Sequence, residues 1–362
     1  MKILYVLEYY FPHIGGVETL FQNLAEGMVE RGHKVRVITN HLKDTKKEEN
    51  LKGVEIKRIK FPKAKRFFFT FFSFPFILKY GKEADIIHSS TYGGVFSASL
   101  SATLLRKPSI LSVHEIWLEE WKRVPFVSKF QKLTGSFQEF FLLNLPFSLK
   151  VTESQYTLNK LNKISPGNNL KIPAGVKVPE DLKWNKKREE IFKYLYFGRP
   201  GHWRGVDLLV KAFEELEKEI EKVKLILILS KEPEKEYKEI MEIISSCKVK
   251  EKIKIMEPLE REELFKFLMG VDCVVIPSLS EGFGLAAAEA SALFVPIISS
   301  DAGSLPEVVS GKCLFFKKGD IFKLKDKMIK AHRGEWEWKA KKEFKMDKFL
   351  NSWDNIYRGY EK

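Results

Sequence analysis

Residues 273–290 read Cys273-Val-Val-Ile-Pro-Ser-Leu-Ser-Glu-Gly-Phe-Gly-Leu-Ala-Ala-Ala-Glu-Ala290. Four apolar residues give a short buried strand, a loop with Gly282 and Gly284 follows, and the run from Leu285 to Leu293 is dense in helix formers. A helix N-terminus offers unpaired backbone N–H groups and partial positive charge, which suits a phosphate. The glycines let such a ligand come close to the backbone. Glu281 stands in the loop and Glu289 within the second helical turn. A diphosphate between them would leave one carboxylate facing a sugar and the other a ribose, because carboxylates accept hydrogen bonds from vicinal hydroxyls. Gly282-x-Gly284-x-x-Ala287 also fits the dinucleotide pattern, with Asp301 downstream. That pattern, however, opens the first strand–turn–helix of its domain, and here it comes near the end of the second. A tightly packed helix start with two surface acids is the plainer alternative.

The same strand–loop–helix alternation extends in both directions. Ile3–Leu7, Val35–Thr39, Val54–Ile59, Ile86–His88, Ser109–Val113 and Leu149–Val151 read as strands in the first half. Tyr194–Phe197, Val223–Leu229, Ile253–Met256, Pro296–Ser299 and Leu314–Phe316 do so in the second. Helical spacing over Val17–Arg31, Val95–Leu105, Ser154–Leu161 and Val206–Lys218 separates them. Continuous apolar strands between helices indicate parallel sheets covered on both faces. The expected fold is therefore α/β, with two doubly wound Rossmann-like domains facing each other across a cleft. Pro173, Gly175 and Pro179 ahead of the charged Lys183–Glu190 place the boundary, giving domains 1–182 and 183–335. Ile321–Lys362 reads as helical to the end, with 336–362 set apart as C-terminal helices.

The chain has 362 residues, 62 Lys+Arg against 48 Asp+Glu, and a net charge of +14. This length suits about two domains. Hydrophobic residues at 44% and charged ones at 30% are globular proportions that exclude a disordered or fibrous chain. Cys247, Cys273 and Cys313 form no C-x-x-C pair, so neither a disulfide framework nor a zinc ribbon is expected, and a reducing cytoplasmic compartment is the default. The apolar run Ile3–Leu7 ends at Glu8, too short for a signal-peptide core or a spanning helix. A soluble or peripheral protein is expected.

Two further loops carry charge or glycine at the end of a strand. Phe197-Gly-Arg-Pro-Gly-His-Trp-Arg-Gly205 places Arg199 and Arg204 where both can grip a diphosphate through forked hydrogen bonds. Solvated arginines are the alternative. Pro12-His-Ile-Gly15-Gly16-Val-Glu-Thr19 is a glycine loop before the first helix, able to face a phosphate or to be an ordinary tight turn. His114, in Ser112-Val-His-Glu115, ends a strand where it could contact a substrate or serve only structure.

In this order, the Gly15–Glu18 loop, His114, the Gly198–Gly205 loop, the E-x7-E spacing of Glu281 and Glu289, and Asp301–Glu307 resemble the retaining glycosyltransferases of the GT-B fold, family 4 (glycosyl transferases group 1). The resemblance spans the chain to Phe349-Leu-Asn-Ser-Trp353, which looks like the family's C-terminal helix returning to the first domain. It implies a first domain that binds the acceptor and a second that binds the nucleotide sugar. It implies sugar transfer from a UDP-, GDP- or ADP-sugar with retention and without a metal or other cofactor. Arg199 and Arg204 would hold the diphosphate, Glu281 the sugar hydroxyls, and Glu289 the ribose. Gly282, Phe283, Gly284 and Leu285 would line the donor site, Gly15 and Gly16 would meet phosphate or acceptor, and His114 would contact the donor sugar; the catalytic set would be His114, Glu281, Arg199 and Arg204. The chain departs from the family in carrying Arg204 where Lys is usual, and Ser230-Lys-Glu-Pro233 and Glu257 where glycine is common.

Basic charge is concentrated between Ile56 and Lys82, where eight basic and nine aromatic residues stand without an acid. Aromatic plus basic residues favour an anionic membrane surface, with Lys63, Lys65, Arg66, Phe67, Phe68 and Phe71 as the contact. Phe137–Leu149 is a second candidate. Both could instead be buried helices flanked by lysines. Membrane contact would suit a lipid-linked or glycan acceptor at the inner face of the cell membrane. Nucleic acid explains the charge but not the glycine loops or the spaced glutamates, and is not expected as a partner. A soluble sugar acceptor, or a non-catalytic nucleotide-sugar-binding or membrane-scaffold protein on the same fold, are the alternatives.

Overall fold

A computed structural model describes residues 1–361 except 14, 62–64, 124–127, 180 and 188, and leaves out the side chains of 65–67 and 123. Two compact units emerge. One comprises Met1–Gly175 with Met346–Lys362, the other Val176–Lys345.

The first unit runs β1 (Lys2–Val6), α1 (Gly16–Glu30), β2 (Lys34–Asn40), β3 (Glu48–Leu51), β4 (Val54–Ile59), α2 (Lys65–Phe72), α3 (Phe74–Gly81) and β5 (Ile86–Ser90). It continues with α4 (Val95–Leu105), β6 (Ser109–Ser112), α5 (Lys129–Leu143), β7 (Leu149–Thr152), α6 (Gln155–Ile164) and β8 (Asn169–Lys171). Its sheet has the order β3-β4-β2-β1-β5-β6-β7-β8 and is parallel except for β3. Parallel pairing puts the carboxyl ends of β1, β6 and β7 on one edge, so the Gly15–Gly16 loop, His114 and Glu153 emerge at the same end.

The second unit contains β9 (Phe192–Gly198), α7 (Val206–Glu217), β10 (Val223–Leu229), α8 (Glu234–Ser246), β11 (Ile253–Met256), α9 (Arg261–Leu268) and β12 (Cys273–Ile276). Next come α10 (Leu285–Ala292), β13 (Ile297–Ser300), α11 (Leu305–Val308), β14 (Gly311–Phe316), α12 (Ile321–Arg333) and β15 (Glu337–Lys339). The order is β11-β10-β9-β12-β13-β14-β15, parallel except for β15. The reversal of strand order beside β9 is where ligands of open α/β sheets bind.

The last helix, α13 (Met346–Arg358), belongs to the first unit. Its buried Phe349, Leu350, Trp353 and Tyr357 form one face, and Leu350 packs against Gly27 of α1. Asp354 takes His33 Nε2 at 2.6 Å and Asn351 accepts from Arg31 at 2.9 Å. Tyr357 closes a buried polar chain. Its hydroxyl meets Tyr5 Oη at 3.0 Å and His88 Nδ1 at 2.7 Å, while His88 Nε2 reaches Ser112 Oγ at 2.9 Å. Burial, reinforced by the charge of His114, pushes the His88 pKa well down, so this ring is neutral.

Three expectations change. The units divide at Gly175/Val176 and Lys345/Met346 rather than at 182/183 and 335/336, because residues 176–186 are tied into the second unit. Val176 bridges to Lys345, Trp184 N–H donates to Leu293 O and Trp184 Nε1–H to Val271 O, both at 2.8 Å, and Lys186 pairs with Asp272 at 2.7 Å. The stretch after Ile321 is not helical throughout, since β15 interrupts it. Arg58, counted among the basic run, is not a surface cation. Its side chain is 0% exposed, pairs with Glu49 at 2.6 Å and donates to Phe11 O at 2.7 Å.

Candidate active-site loops

In the second unit, Arg204 and Glu281 form an ion pair between the loops that follow β9 and β12. Arg204 closes a single 3-10 turn (His202–Arg204), and Gly205 at φ +66° then starts α7. A Cβ on Gly205 would run into the carbonyl oxygen of Pro277, so the absence of a side chain is what lets this loop lie against the β12 loop. Leu279 N–H donates to Trp203 O at 2.8 Å and fastens the same two loops. The Glu281 carbonyl accepts from Ser304 N–H at 3.1 Å and Ser304 Oγ–H at 3.2 Å. Gly303, at φ +56°, lies so close to that carbonyl that any Cβ would strike it. Both the backbone and the side chain of Glu281 are therefore fixed.

Glu289 is buried inside α10, and Arg261 Nη1 from α9 reaches its Oε1 at 2.8 Å. Burial raises the Glu289 pKa, and the nearby guanidinium offsets part of that rise. Gly284 caps α10 and Leu285, half-buried, is its first residue. Phe283 faces inward and meets Phe344 edge-on at 5.2 Å. Gly282 is buried. Arg199 is exposed, and its carbonyl accepts from the Tyr196 hydroxyl at 2.7 Å. The two loops that depart from the family's glycine pattern are linked to each other, Lys231 pairing with Glu257 at 2.5 Å.

In the first unit, His114 Nδ1 lies 2.8 Å from Glu153 Oε1. The β6–β7 register pairs Ser112 with Val151; two residues further along, on the same face, stand His114 and Glu153. His114 Nε2 and Glu153 Oε2 are buried without a hydrogen-bond partner among the described residues. A carboxylate on Nδ1 holds the proton there and leaves Nε2 as an acceptor. Gly15 is the extended N-cap of α1 and Gly16 its first residue; Glu18 in that turn lies 3.1 Å from His13 Nδ1.

Arg261 and Glu153 were not anticipated from the sequence. An acid one residue beyond a strand was the only local signal for Glu153.

Of the proposed membrane residues, Lys63 lies outside the described residues, as do the side chains of Lys65, Arg66 and Phe67. Phe68 is half-buried against Phe61 and Phe72, and Phe71 is exposed. No helix among the described residues is long and apolar enough to cross a membrane.

The family model described as Glycosyltransferase Family 4 matches residues 14–168, and that described as Glycosyl transferases group 1 matches residues 178–347. An uncharacterized glycosyltransferase of Methanocaldococcus jannaschii is 26% identical over 98% of this chain and 96% of its own length. The phosphatidylinositol N-acetylglucosaminyltransferase GPI3 subunit of Saccharomyces cerevisiae is 21% identical over 92% of this chain and 76% of its own. Among solved structures, Anabaena Alr3699/HepE in complex with UDP superposes with a TM-score of 0.75 at 17% identity, over 99% of this chain and 100% of that one. The two doubly wound units, the returning α13, and the glycine and glutamate loops thus coincide with matches that meet near the boundary between the units, and the chain belongs to the GT-B glycosyltransferases of family 4, glycosyl transferases group 1.

Proposed function

We propose that this chain is a retaining, metal-independent hexosyltransferase that moves a sugar from a UDP-, GDP- or ADP-sugar to a lipid-linked or glycan acceptor at the cytoplasmic face of a membrane. The observation that carries this reading is the Arg204–Glu281 pair with Glu289 on the helix that follows. A cation for a diphosphate and carboxylates for sugar and ribose hydroxyls stand at the carboxyl ends of one parallel sheet. The second unit binds the nucleotide sugar and the first the acceptor.

Arg199 and Arg204 grip the diphosphate and stabilise the charge it gains as it leaves, the largest electrostatic contribution to the rate. Backbone N–H groups at Gly284–Leu285 face the same phosphates, while Gly282 and the inward-turned Phe283 shape the loop. Glu281 accepts from sugar hydroxyls and Glu289 from the ribose diol. Gly15 and Gly16 open the first unit's loop to phosphate or acceptor. His114 accepts a sugar hydroxyl at Nε2. The bond from the anomeric carbon to the diphosphate oxygen breaks with its electron pair on the nucleotide. The acceptor oxygen bonds to the same face of that carbon, and its proton passes to the departing phosphate. No side chain is assigned as nucleophile, and the guanidiniums of Arg204, paired with Glu281, and Arg199 take the place of a divalent cation.

Nucleotide binding is supported by the UDP complex of the superposable Anabaena protein, and a lipid acceptor by the phosphatidylinositol-named yeast relative. The buried, unpaired state of all three cysteines supports a reducing compartment. Thermal unfolding with UDP-, GDP- and ADP-sugars, each with and without chelator, tests the donor. A ligand at 100 times its Kd stabilises by about 2.7 kcal/mol. We expect one base to give a chelator-resistant shift, and Glu281→Ala to cut transfer by about 10²–10³-fold while the fold persists. Wild-type turnover in that variant would sink the assignment.

A further inference from the structure

Helix α5 is apolar on its solvent side. Phe130 (75%), Leu133 (70%) and Phe137 (70%) are among the most exposed large hydrophobic residues, and Phe140 and Phe141 extend the stripe. The intervals of three, four and three residues put them on one face. The opposite face carries Leu142 and Leu143 into a buried cluster with Leu111, Val113 and Leu161. The helix contains one acid, Glu139, and it is consumed internally. Its carboxylate accepts from Trp117 N–H at 2.7 Å, Trp121 Nε1–H at 2.8 Å and the Tyr92 hydroxyl. A capping box formed by Ser128 and Gln131 fixes the helix start. The stripe is therefore rigidly presented, and the helix's own cations are the exposed Lys129 and the half-buried Lys132, whose ammonium donates to Lys122 O at 3.1 Å.

The apolar surface continues beyond α5. Phe141 approaches Phe96 of α4 at 6.5 Å, and Phe96 approaches Phe71 of α2 at 5.4 Å. Phe71, Phe72 and Phe76 are exposed, and neither α2 nor α3 contains an acid. A contiguous patch of this kind on a soluble surface marks an interaction site.

We infer that the outer stripe of α5, continued by Phe71 and Phe72, is the face with which this unit lies on an anionic lipid surface, the helix axis in the plane of the interface. This rests on the membrane-acceptor reading above but centres the contact on α5, with Phe71 and Phe72 of the run 56–82 as its continuation. Charge selects the occupant. Phenylalanines flanked by lysines, with no exposed acid on the helix, complement anionic headgroups over an acyl layer. A symmetric pair of copies joined through this stripe would instead set lysine-bearing helices with no exposed acid against each other. The helix is about 22 Å long, enough to insert its four turns side-on.

The test is co-sedimentation of the full chain with phosphatidylcholine vesicles with and without phosphatidylglycerol. Wild type is expected to bind the anionic vesicles and to release as salt rises. Phe130→Ser/Phe137→Ser is expected to weaken vesicle binding about 100-fold, while the UDP- or GDP-sugar thermal shift stays at the wild-type value. Both residues point to solvent, so the nucleotide shift certifies the fold. Lys129→Glu/Lys132→Glu is expected to remove the dependence on anionic lipid. Undiminished vesicle binding by the phenylalanine double variant overturns the inference. So does a wild-type dimer that the double variant converts to monomer without any vesicle binding. Vesicle binding through α5 with no transfer to lipid leaves the surface assigned and refutes the acceptor; transfer to a soluble sugar without vesicle binding refutes the surface and leaves the transferase.

Discussion

Glu153 holds His114 at 2.8 Å from the end of the neighbouring strand, so the orientation of one loop's imidazole is fixed by another loop's carboxylate. A ring held at Nδ1 can present Nε2 in only one direction. Glu153→Gln is expected to lower kcat by about 10²-fold, the usual cost of misplacing a reacting group, with little change in donor KM. Glu153→Asp should recover part of the loss. An unchanged kcat alongside a lowered Tm would reduce Glu153 to a packing role.

Arg204 donates to Glu281 and lies beside a loop suited to diphosphate. Arg204→Lys retains charge but gives up the planar fork, so we expect activity between those of wild type and Arg204→Ala, with the alanine variant down about 10²–10³-fold in kcat/KM. Initial rates of nucleotide diphosphate release measure this. Equal losses for Lys and Ala would show that geometry alone matters at this position.

Burial raises the Glu289 pKa, and a ribose diol would favour its ionised form. Nucleotide affinity should therefore weaken as pH falls through the raised value, and binding near that pH should release a proton. For folding the sign is opposite. The cost of ionising the buried carboxylate is present above the folded pKa and is relieved as pH falls through it towards the ordinary value. Calorimetric titration in buffers of different ionisation enthalpy reads the proton, and Glu289→Gln should abolish it.

His88 is neutral in the fold, with its pKa pushed well below the usual 6.5 by burial and then by His114. Its contribution to stability is complete above the unfolded value and is lost as pH falls from there toward the folded one, by up to ~1.4 kcal/mol per pH unit. Urea unfolding of the first unit from pH 7 to pH 5 should show this slope, and His88→Asn should flatten it.

Gly303→Ala places a methyl group against the Glu281 carbonyl, which Ser304 already holds through two hydrogen bonds. We expect about 1–3 kcal/mol of lost stability, together with weaker donor binding, because the displaced loop carries Glu281. If Tm falls while donor affinity is preserved, the loop moves as a rigid piece.

The central strands were legible because runs such as Leu225–Leu229 are apolar throughout and can only be buried. Glu48–Leu51, Asn169–Lys171 and Glu337–Lys339 were not. These are short, polar edge strands, and what makes them strands is the ladder of a neighbour rather than their own side chains. The glycine loops and the Glu281–Glu289 spacing are local and could be read directly. Glu153 and Arg261 act through partners on other elements, and no local spacing encodes a register between β6 and β7. Arg58 misled for the same reason, since its partner Glu49 lies across a strand pair. The sequence around α5 announced aromatics, but which of them turn outward depends on the Glu139 contacts beneath.

The chain leaves the first unit at Gly175 and re-enters it at Met346, where Gly175 packs against Met346 and Phe349. In a growing polypeptide the whole of Val176–Lys345 is made before α13 exists. The unit that starts second is thus the first whose elements are all available, while Tyr5, His88 and Ser112 wait for Tyr357. Synthesis at 5–20 residues per second puts about 9–34 s between the completion of Gly175 and the start of α13. During that interval, the face of the first unit that α13 covers with Phe349, Leu350, Trp353 and Tyr357 stands exposed.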